Sequence, residues 1–598
     1  PGLPSSNLRS RHRLTTPPLA AFIAVSTPVP FGYYVLLSTT AQHFILKADA
    51  HRPIPTPNTT REAFEQDEQG WREAYGVDFT AKMKNGAFEF VEDTNDIPRN
   101  LIHKIGWAHK IVWNDDATID HLRARLVGRG YSQVQGRDFN SSYTATPRQC
   151  AVRFVLGLIA VFDLIDEHID IIKAFTQNKL DTLMYAFQPV GITKVIGKNG
   201  KPMLLKCIMA LEGLRQSGNL HQTNHSATFT DFGFKQSDVE PCLFVFVDCD
   251  IYIICLVWID DILAGYSDNQ TSKAKWAEFK AIYGKRWNYK SKGPVKQFDG
   301  FTVERDRPNK SVTISLPGYI QGLYDKYVPA GYPTRNVPVS SQTVLDSLTT
   351  ASDEERPTMK DKPFLAALAS LIWYCFAVNP LITFAVVRFC QFMHDPSPAA
   401  WTMLLDLISF CQHSATFKLT YRADCKTFPK EFDGTPAEWA TFKRNQCLHA
   451  YVDASWKIPS ICGYMIVMFG GPLDWSTKLI RVICHSASEA EIAARSMLAK
   501  ILVYIRQLSS DAGLPIQGPI PVLIDNTAAI DITGKLGVSK RTAHFLRWQH
   551  YLRWMVKHNY IRLIYISTKR QLADALTKVV DPSLFYQLRD YLFLRLHA

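Results

Sequence analysis

The chain reads first as an alternation of apolar runs and polar breaks. Residues 60–83, TREAFEQDEQGWREAYGVDFTAKM, carry apolar positions at helical spacing and predict an amphipathic helix or helix pair. GAFEFVED after it predicts a short strand, and HLRARLVGRGYS a basic strand and turn. AVRFVLGLIAVFDLI is apolar on every side and predicts a buried helix. DEHIDIIKAF then reads as a strand running into a loop. CLFVFVDCDIYIICLVWIDDILAGYS predicts three successive strands, with turns at Asp248–Asp250 and at Asp260–Asp261. Residues 340–362 are polar and predict a linker, and residues 363–415 are helical in pattern.

The pattern changes again near Lys443. LHAYVDASW and CGYMIVMFGGPLDWSTK read as strands. SASEAEIAARSMLAKILVYIRQL reads as a helix capped by Ser486 or Ser488. PIPVLIDNTAAIDIT predicts a strand entering a helix, and YIRLIYIST with KRQLADALTK repeats that arrangement. The fold class expected is α+β: two mixed units joined by helices. No internal repeat or low-complexity tract interrupts this order.

Carboxylates mark the chemistry. Asp260 and Asp261 sit side by side at a predicted hairpin turn, where Asp is also an ordinary turn former. Asp170 lies at the end of another apolar strand, and an acid there beside the turn pair would suit two Mg²⁺ ions. A second set follows in the tail. Asp453 lies within a strand, Glu489 opens a helix, Asp525 ends a strand and Asp574 lies in the last predicted helix. Each alone could be a cap or a surface group. Converging on one sheet edge, they would hold two metals for phosphodiester hydrolysis.

Composition adds a partner class. Lys and Arg number 67 against 55 acids, so the formal charge is +12, which favours a polyanion. The 12 cysteines form no CxxC pair, and at this density read as reduced thiols of an intracellular protein. Residues 19–38, LAAFIAVSTPVPFGYYVLLS, are long and apolar, but Pro28 and Pro30 divide them. A segment docking on the body is expected there, and no membrane partner.

Several stretches together resemble the reverse transcriptase and ribonuclease H portion of copia-type retrotransposon polyproteins. HLRARLVGRGYSQVQGRDF is similar to the basic fingers motif of that family, and IDIIKAFTQNKLDTLMYAFQPVG matches its first acid-bearing segment without a gap. ALEGLRQSGNLH, DFGFKQSDVEPCLFVF and VWIDDILAG resemble the palm motifs that follow. YVDASW, GGPLDWSTK, SASEAEIAA, IDNTAAI, RTAHFLRWQHYLR and STKRQLADALTK resemble the ribonuclease H signatures.

The resemblance implies a fingers–palm–thumb polymerase followed by a ribonuclease H-like mixed α/β domain. The boundaries expected are 1–56 for a tether, 57–340 for fingers and palm, 341–443 for helical thumb and connection, and 444–598 for the ribonuclease H-like domain. Asp170, Asp260 and Asp261 would be polymerase metal ligands, and Asp453, Glu489, Asp525 and Asp574 those of the nuclease. Phe175 would crowd a ribose 2′-hydroxyl, Arg125 and Arg129 would meet the incoming triphosphate, and Gln216 would contact sugar or template. His544 would stand near the nuclease site. The cofactor implied is Mg²⁺, two per site, with Mn²⁺ as a substitute. The partners implied are an RNA template, a DNA primer, the RNA–DNA hybrid and deoxynucleoside triphosphates, with a second copy or an integrase as protein partner. The location implied is a cytoplasmic retrotransposon particle, or the nucleus.

The chain also departs from the family. Trp258 stands for a Tyr, Glu212 for a Tyr, His221 for a Trp and Asp299 for a Leu. Gly218 and Asn219 replace Pro-Arg, Asn379 and Leu381 replace Arg and Asp, and Leu546 and Trp548 interrupt the motif after His544. The alternative function is therefore a decayed or domesticated relic that binds nucleic acid without catalysis.

Overall fold

The computed structural model describes residues 55–113, 118–423, 432–526 and 546–594. The apolar segment 19–38 and His544 lie outside them. Among the described residues, no helix is long and apolar enough to cross a membrane.

The chain is a mixed α/β protein built on a six-stranded and a five-stranded sheet, with three smaller sheets beside them. The first helix, Thr60–Lys84, is broken by non-helical geometry at Asp67, which reconciles the expected single helix and helix pair. Tyr75 on this helix stacks on Trp107 at 4.3 Å and so pins it to the ribbon of Ile105–Trp113 and Ile119–Gly128. The predicted buried helix is Gln149–Val161, with nearly every side chain inside.

The six-stranded sheet is antiparallel. It runs in the order Tyr289–Gly293, Ile165–Ile171, Asp261–Tyr266, Ile251–Trp258, Leu243–Asp248, Lys235–Gln236. Both faces are covered, by helix Gln149–Val161 on one side and by the aromatic layer of Phe229, Trp276, Phe279 and Tyr283 on the other. That explains why its central strands are apolar throughout rather than alternating.

Elements absent from the sequence reading lie between 289 and 315. Phe298 and Phe301 pair across a two-residue turn, and Asp299 and Gly300 in that turn both have positive φ, 49° and 79°. This is a type I′ hairpin turn, for which Asp-Gly is a preferred pair. Asp299, a departure from the family, thus has a local backbone reason.

The segment 340–362, expected as linker, carries two short helices, Gln342–Asp346 and Arg356–Met359. The helices Phe364–Ala377, Thr383–Phe389 and Pro398–His413 follow as expected. The tail sheet places Gly471–Leu479, Ile461–Met468 and His449–Ser455 antiparallel, then adds Ile520–Ile524 and Ile561–Tyr565 in parallel. Helix Ala487–Asp511 packs on it, capped by Ser486, whose hydroxyl accepts from Glu489 N. KRQLADALTK forms two 3₁₀ turns, Thr568–Arg570 and Leu572–Leu576, rather than the expected helix. Gln571 there is fully buried and its amide is spent on the Val452 and Leu523 carbonyls, tying the segment to the strand ends.

One hydrophobic core runs from helix Gln149–Val161 through the connecting helices to the tail sheet, without a break near 340 or 443. Arg153, almost fully buried, joins the parts. It donates to the carbonyls of Phe376, Ala377 and Leu473, and its guanidinium lies 4.2 Å over the ring of Trp475. Ten of the cysteines are free thiols, nine of them buried, whereas Cys447 is disulfide-bonded.

Candidate active sites

The hairpin CLVWIDDILAGY places its two acids differently. Trp258 pairs with Asp261, so Ile259 and Asp260 are the turn and Asp261 is the first residue of the returning strand. Ile259 has φ 53°, a left-handed conformation that costs a β-branched residue about 1–3 kcal/mol. Asp170 lies directly across from Asp261 in the antiparallel register. Facing positions of an antiparallel pair hold their side chains on one side of the sheet, so the two carboxylates share a face. Ile171 N donates to the Asp260 carbonyl at 2.7 Å, which ties the turn to the neighbouring strand.

The electrostatics of these acids follow from that proximity. Burial, then the charges of Asp261 and Asp170, push Asp260 up to about 6. Burial also raises Asp261, but the His168 hydrogen bond at 2.5 Å and the Lys292 ammonium outweigh it and hold Asp261 below the usual range. Lys292 Nζ lies 3.0 Å from Asp170 and 3.4 Å from Asp261. Asp260 thus carries the charge of two acid neighbours, and Asp170 and Asp261 share one cation, the kind of carboxylate setting that hard divalent ions use.

The other expected residues near this site divide. Arg125 is exposed on its strand, and its charge partly offsets the rise at Asp260. Arg129 follows the end of that strand, and its guanidinium packs against Gly106, where a Cβ would have no room. Phe175 opens a 3₁₀ turn five residues past Asp170, half-buried, with its ring at 83° to that of His221. Gln216 is 1% exposed, and its amide donates to Asp138 O and Thr182 Oγ1 and accepts from Gln133. It braces two loops and is spent before any substrate arrives, unlike the contact expected for it.

Two substitutions have partners. Glu212 accepts from Lys82, a lysine whose side chain is 1% exposed. His221 sits beneath the hairpin turn. Asn178 Nδ2 donates to its Nδ1 at 3.2 Å, which leaves the proton on Nε2 to donate to the Ile259 carbonyl at 2.9 Å. Burial holds His221 below the ordinary histidine range, consistent with a neutral ring.

The tail acids also converge. Asp453 on its strand, Asp525 just past the parallel strand Ile520–Ile524, and Asp574 in the turn Leu572–Leu576 bring carboxylate oxygens within 4.8 Å of one another. Asp574, read as a surface acid by position, is 1% exposed. Burial and the charge of Asp453 push it up to about 7, and its Oδ1 has no hydrogen-bond partner. Thr577 donates to Asp453, and Lys578 Nζ lies 3.0 Å from Asp574. A buried carboxylate oxygen without a donor, aimed among acids, fits a divalent cation better than it fits a closed core.

Glu489 does not join them. Its carboxylate turns back to accept from His485 N at 2.7 Å, in the role of a helix-cap acid. Glu491, two residues on, is the acid on this helix that feels the charges of Asp453 and Asp525. Glu491 is 6% exposed, and burial and the charges of Asp453 and Asp525 push it up to about 7 despite Arg495. The signal was present in SASEAEIAA: positions 489 and 491 point about 200° apart around a helix, and only one can face the sheet.

Residues 88–340 match the family described as reverse transcriptase (RNA-dependent DNA polymerase). The chain is 25% identical over 511 residues, 84% of its length, to the retrovirus-related Pol polyprotein from transposon TNT 1-94 of Nicotiana tabacum, of which it covers 36%. It is 24% identical over 529 residues, 87% of its length, to that from transposon RE2 of Arabidopsis thaliana, of which it covers 34%. The chain thus spans about a third of the length of these curated relatives. A foamy viral protease-reverse transcriptase solved with double-stranded DNA covers 81% of the chain at 11% identity, matched over 68% of its own length, with a TM-score of 0.38, too loose a likeness to carry an argument.

Proposed function

This chain is a relative of the copia-type retrotransposon reverse transcriptase polyproteins, and from that premise we propose that it is an RNA-directed DNA polymerase with an attached ribonuclease H. The observation that carries the reading is the register of Asp170 against Asp261, with Asp260 in the adjoining turn. In this reading the six-stranded sheet is a palm, the ribbon bearing Arg125 belongs to the fingers, and the tail sheet is the nuclease.

Mg²⁺, when bound, would supply the charge that activates the attacking hydroxyl and stabilises the leaving oxygen. Asp170, Asp260 and Asp261 would hold it in the palm, and Asp453, Asp525, Asp574 and Glu491 in the tail. The chain's own residues do the rest. Arg125, exposed and with its charge acting on Asp260, would supply the cation that a triphosphate needs. Phe175 presents a ring five residues past Asp170, where it would exclude a 2′-hydroxyl. His221 holds the turn from below. Phosphate contacts would dominate binding to hybrid, which would weaken with salt.

The relic reading predicts that substitutions away from the family leave damaged contacts. Glu212 and His221 instead have partners in Lys82 and Ile259, whereas Asp299 accepts from Gln149 through one oxygen and leaves the other buried without a donor. The test is extension of a DNA primer on an RNA template with Mg²⁺. Extension that Asp260→Asn abolishes supports the polymerase. Retained hybrid binding with no extension by the unmodified chain supports the relic. Hybrid cleavage, with Asp453→Asn as control, reads the tail independently.

A further inference from the structure

Lys292 sits where a cation belongs. It lies on Tyr289–Gly293, the edge strand of the palm sheet. The register of that strand against Ile165–Ile171 shifts between Ser291, opposite Ile169, and Gly293, opposite His168. Lys292 is therefore the extra residue of a β-bulge, and Gly293, with φ 72°, completes it. Bulges beside active sites re-aim a side chain. Here the result is an ammonium 3.0 Å from Asp170 Oδ1 and 3.4 Å from Asp261 Oδ1, bridging acids from two strands. The side chain is 39% exposed, so it can leave toward solvent without disturbing the core.

We propose that Lys292 is a resident counter-cation of the palm carboxylates, which a divalent ion must displace to load. The inference rests on the metal-site reading of Asp170 and Asp261. Without the ammonium, the two carboxylates would repel each other across the register pair. With it, half the charge of that pair is offset and the site is held in shape, and the divalent ion binds more weakly because it competes with a charge already in place. Lys578 stands in the same relation to the tail acids, 3.0 Å from Asp574.

The experiment is a Mn²⁺ titration of the full chain, with free Mn²⁺ read by electron paramagnetic resonance and no nucleic acid present. Asp453→Asn with Asp574→Asn silences the tail, so that only the palm is read. In that background Lys292→Met and Lys292→Gln should bind Mn²⁺ about tenfold tighter than the parent. Their thermal upshift on adding Mn²⁺ should be larger, and Lys292→Arg should behave as the parent does. Equal affinity in the parent and both neutral variants would overturn the counter-cation role and leave the metal site standing. No binding by any of them at millimolar Mn²⁺ would overturn both.

Discussion

His221 Nε2 donates to the carbonyl of Ile259 at 2.9 Å, so a buried ring on helix Ser217–Phe232 holds the strained residue of the hairpin that carries Asp260 and Asp261. Phe would fill the same space without the donor. His221→Phe should therefore lower kcat for primer extension by roughly 10–100-fold, because the turn that carries Asp260 is no longer fixed. KM for nucleotide should change far less. His221→Gln can still reach the carbonyl and should recover much of the loss. Steady-state kinetics on an RNA template checks both, with thermal melting to show that the variants fold.

Glu489 and Glu491 part company in the tail. Glu491→Gln should abolish hybrid cleavage while leaving extension intact, since it faces Asp453 and Asp525. Glu489→Gln should keep cleavage and cost about 1 kcal/mol of stability through the weakened cap. A hybrid-cleavage assay beside a melting curve separates the two. Cleavage lost in the Glu489 variant and kept in the Glu491 variant would reverse the assignment.

Arg153 couples the palm to the tail through carbonyls of three residues and lies 3.6 Å from Asp474. Arg153→Met leaves those acceptors without this donor and the half-buried Asp474 carboxyl with the Tyr464 hydroxyl but no cation. The expected cost is roughly 3–5 kcal/mol. Because the core is continuous here, both activities should fall together at elevated temperature. Limited proteolysis should show new cleavage near 376 and 473.

Glu240 supplies a pH dependence. It is fully buried between the palm and helix Ala487–Asp511, accepts from Arg148 N and Tyr504 Oη, and burial pushes it up to about 7. Its folded value lies above its unfolded one, so the folded chain binds the proton more tightly. That stabilisation is fully present below about 4.5 and is lost as pH rises through about 7. The loss is on the order of 3 kcal/mol. Melting temperatures at pH 5 and pH 8 should differ by less in Glu240→Gln than in the parent.

Much was legible from pattern alone. The three strands around Asp260, the buried helix Gln149–Val161 and the cap at Ser486 follow from periodicity and local hydrogen bonding, which are written in neighbouring residues. The strands between 289 and 315 were not, because they are two to six residues long and Tyr289–Gly293 and Gln297–Phe298 lie at sheet edges, where there is little apolar signal. The turn at Leu572–Leu576 looked helical because its residue types favour a helix, but tertiary bonds from Gln571 override that propensity.

By itself, the sequence determined that acids lie at strand ends in a certain order, since strand and turn preferences act over a few residues. Only the tertiary structure decided which acids meet. Register across strands set Asp170 against Asp261, and one bulged residue delivered Lys292 to the pair. These are angles and offsets between elements distant in the chain, and no local pattern encodes them.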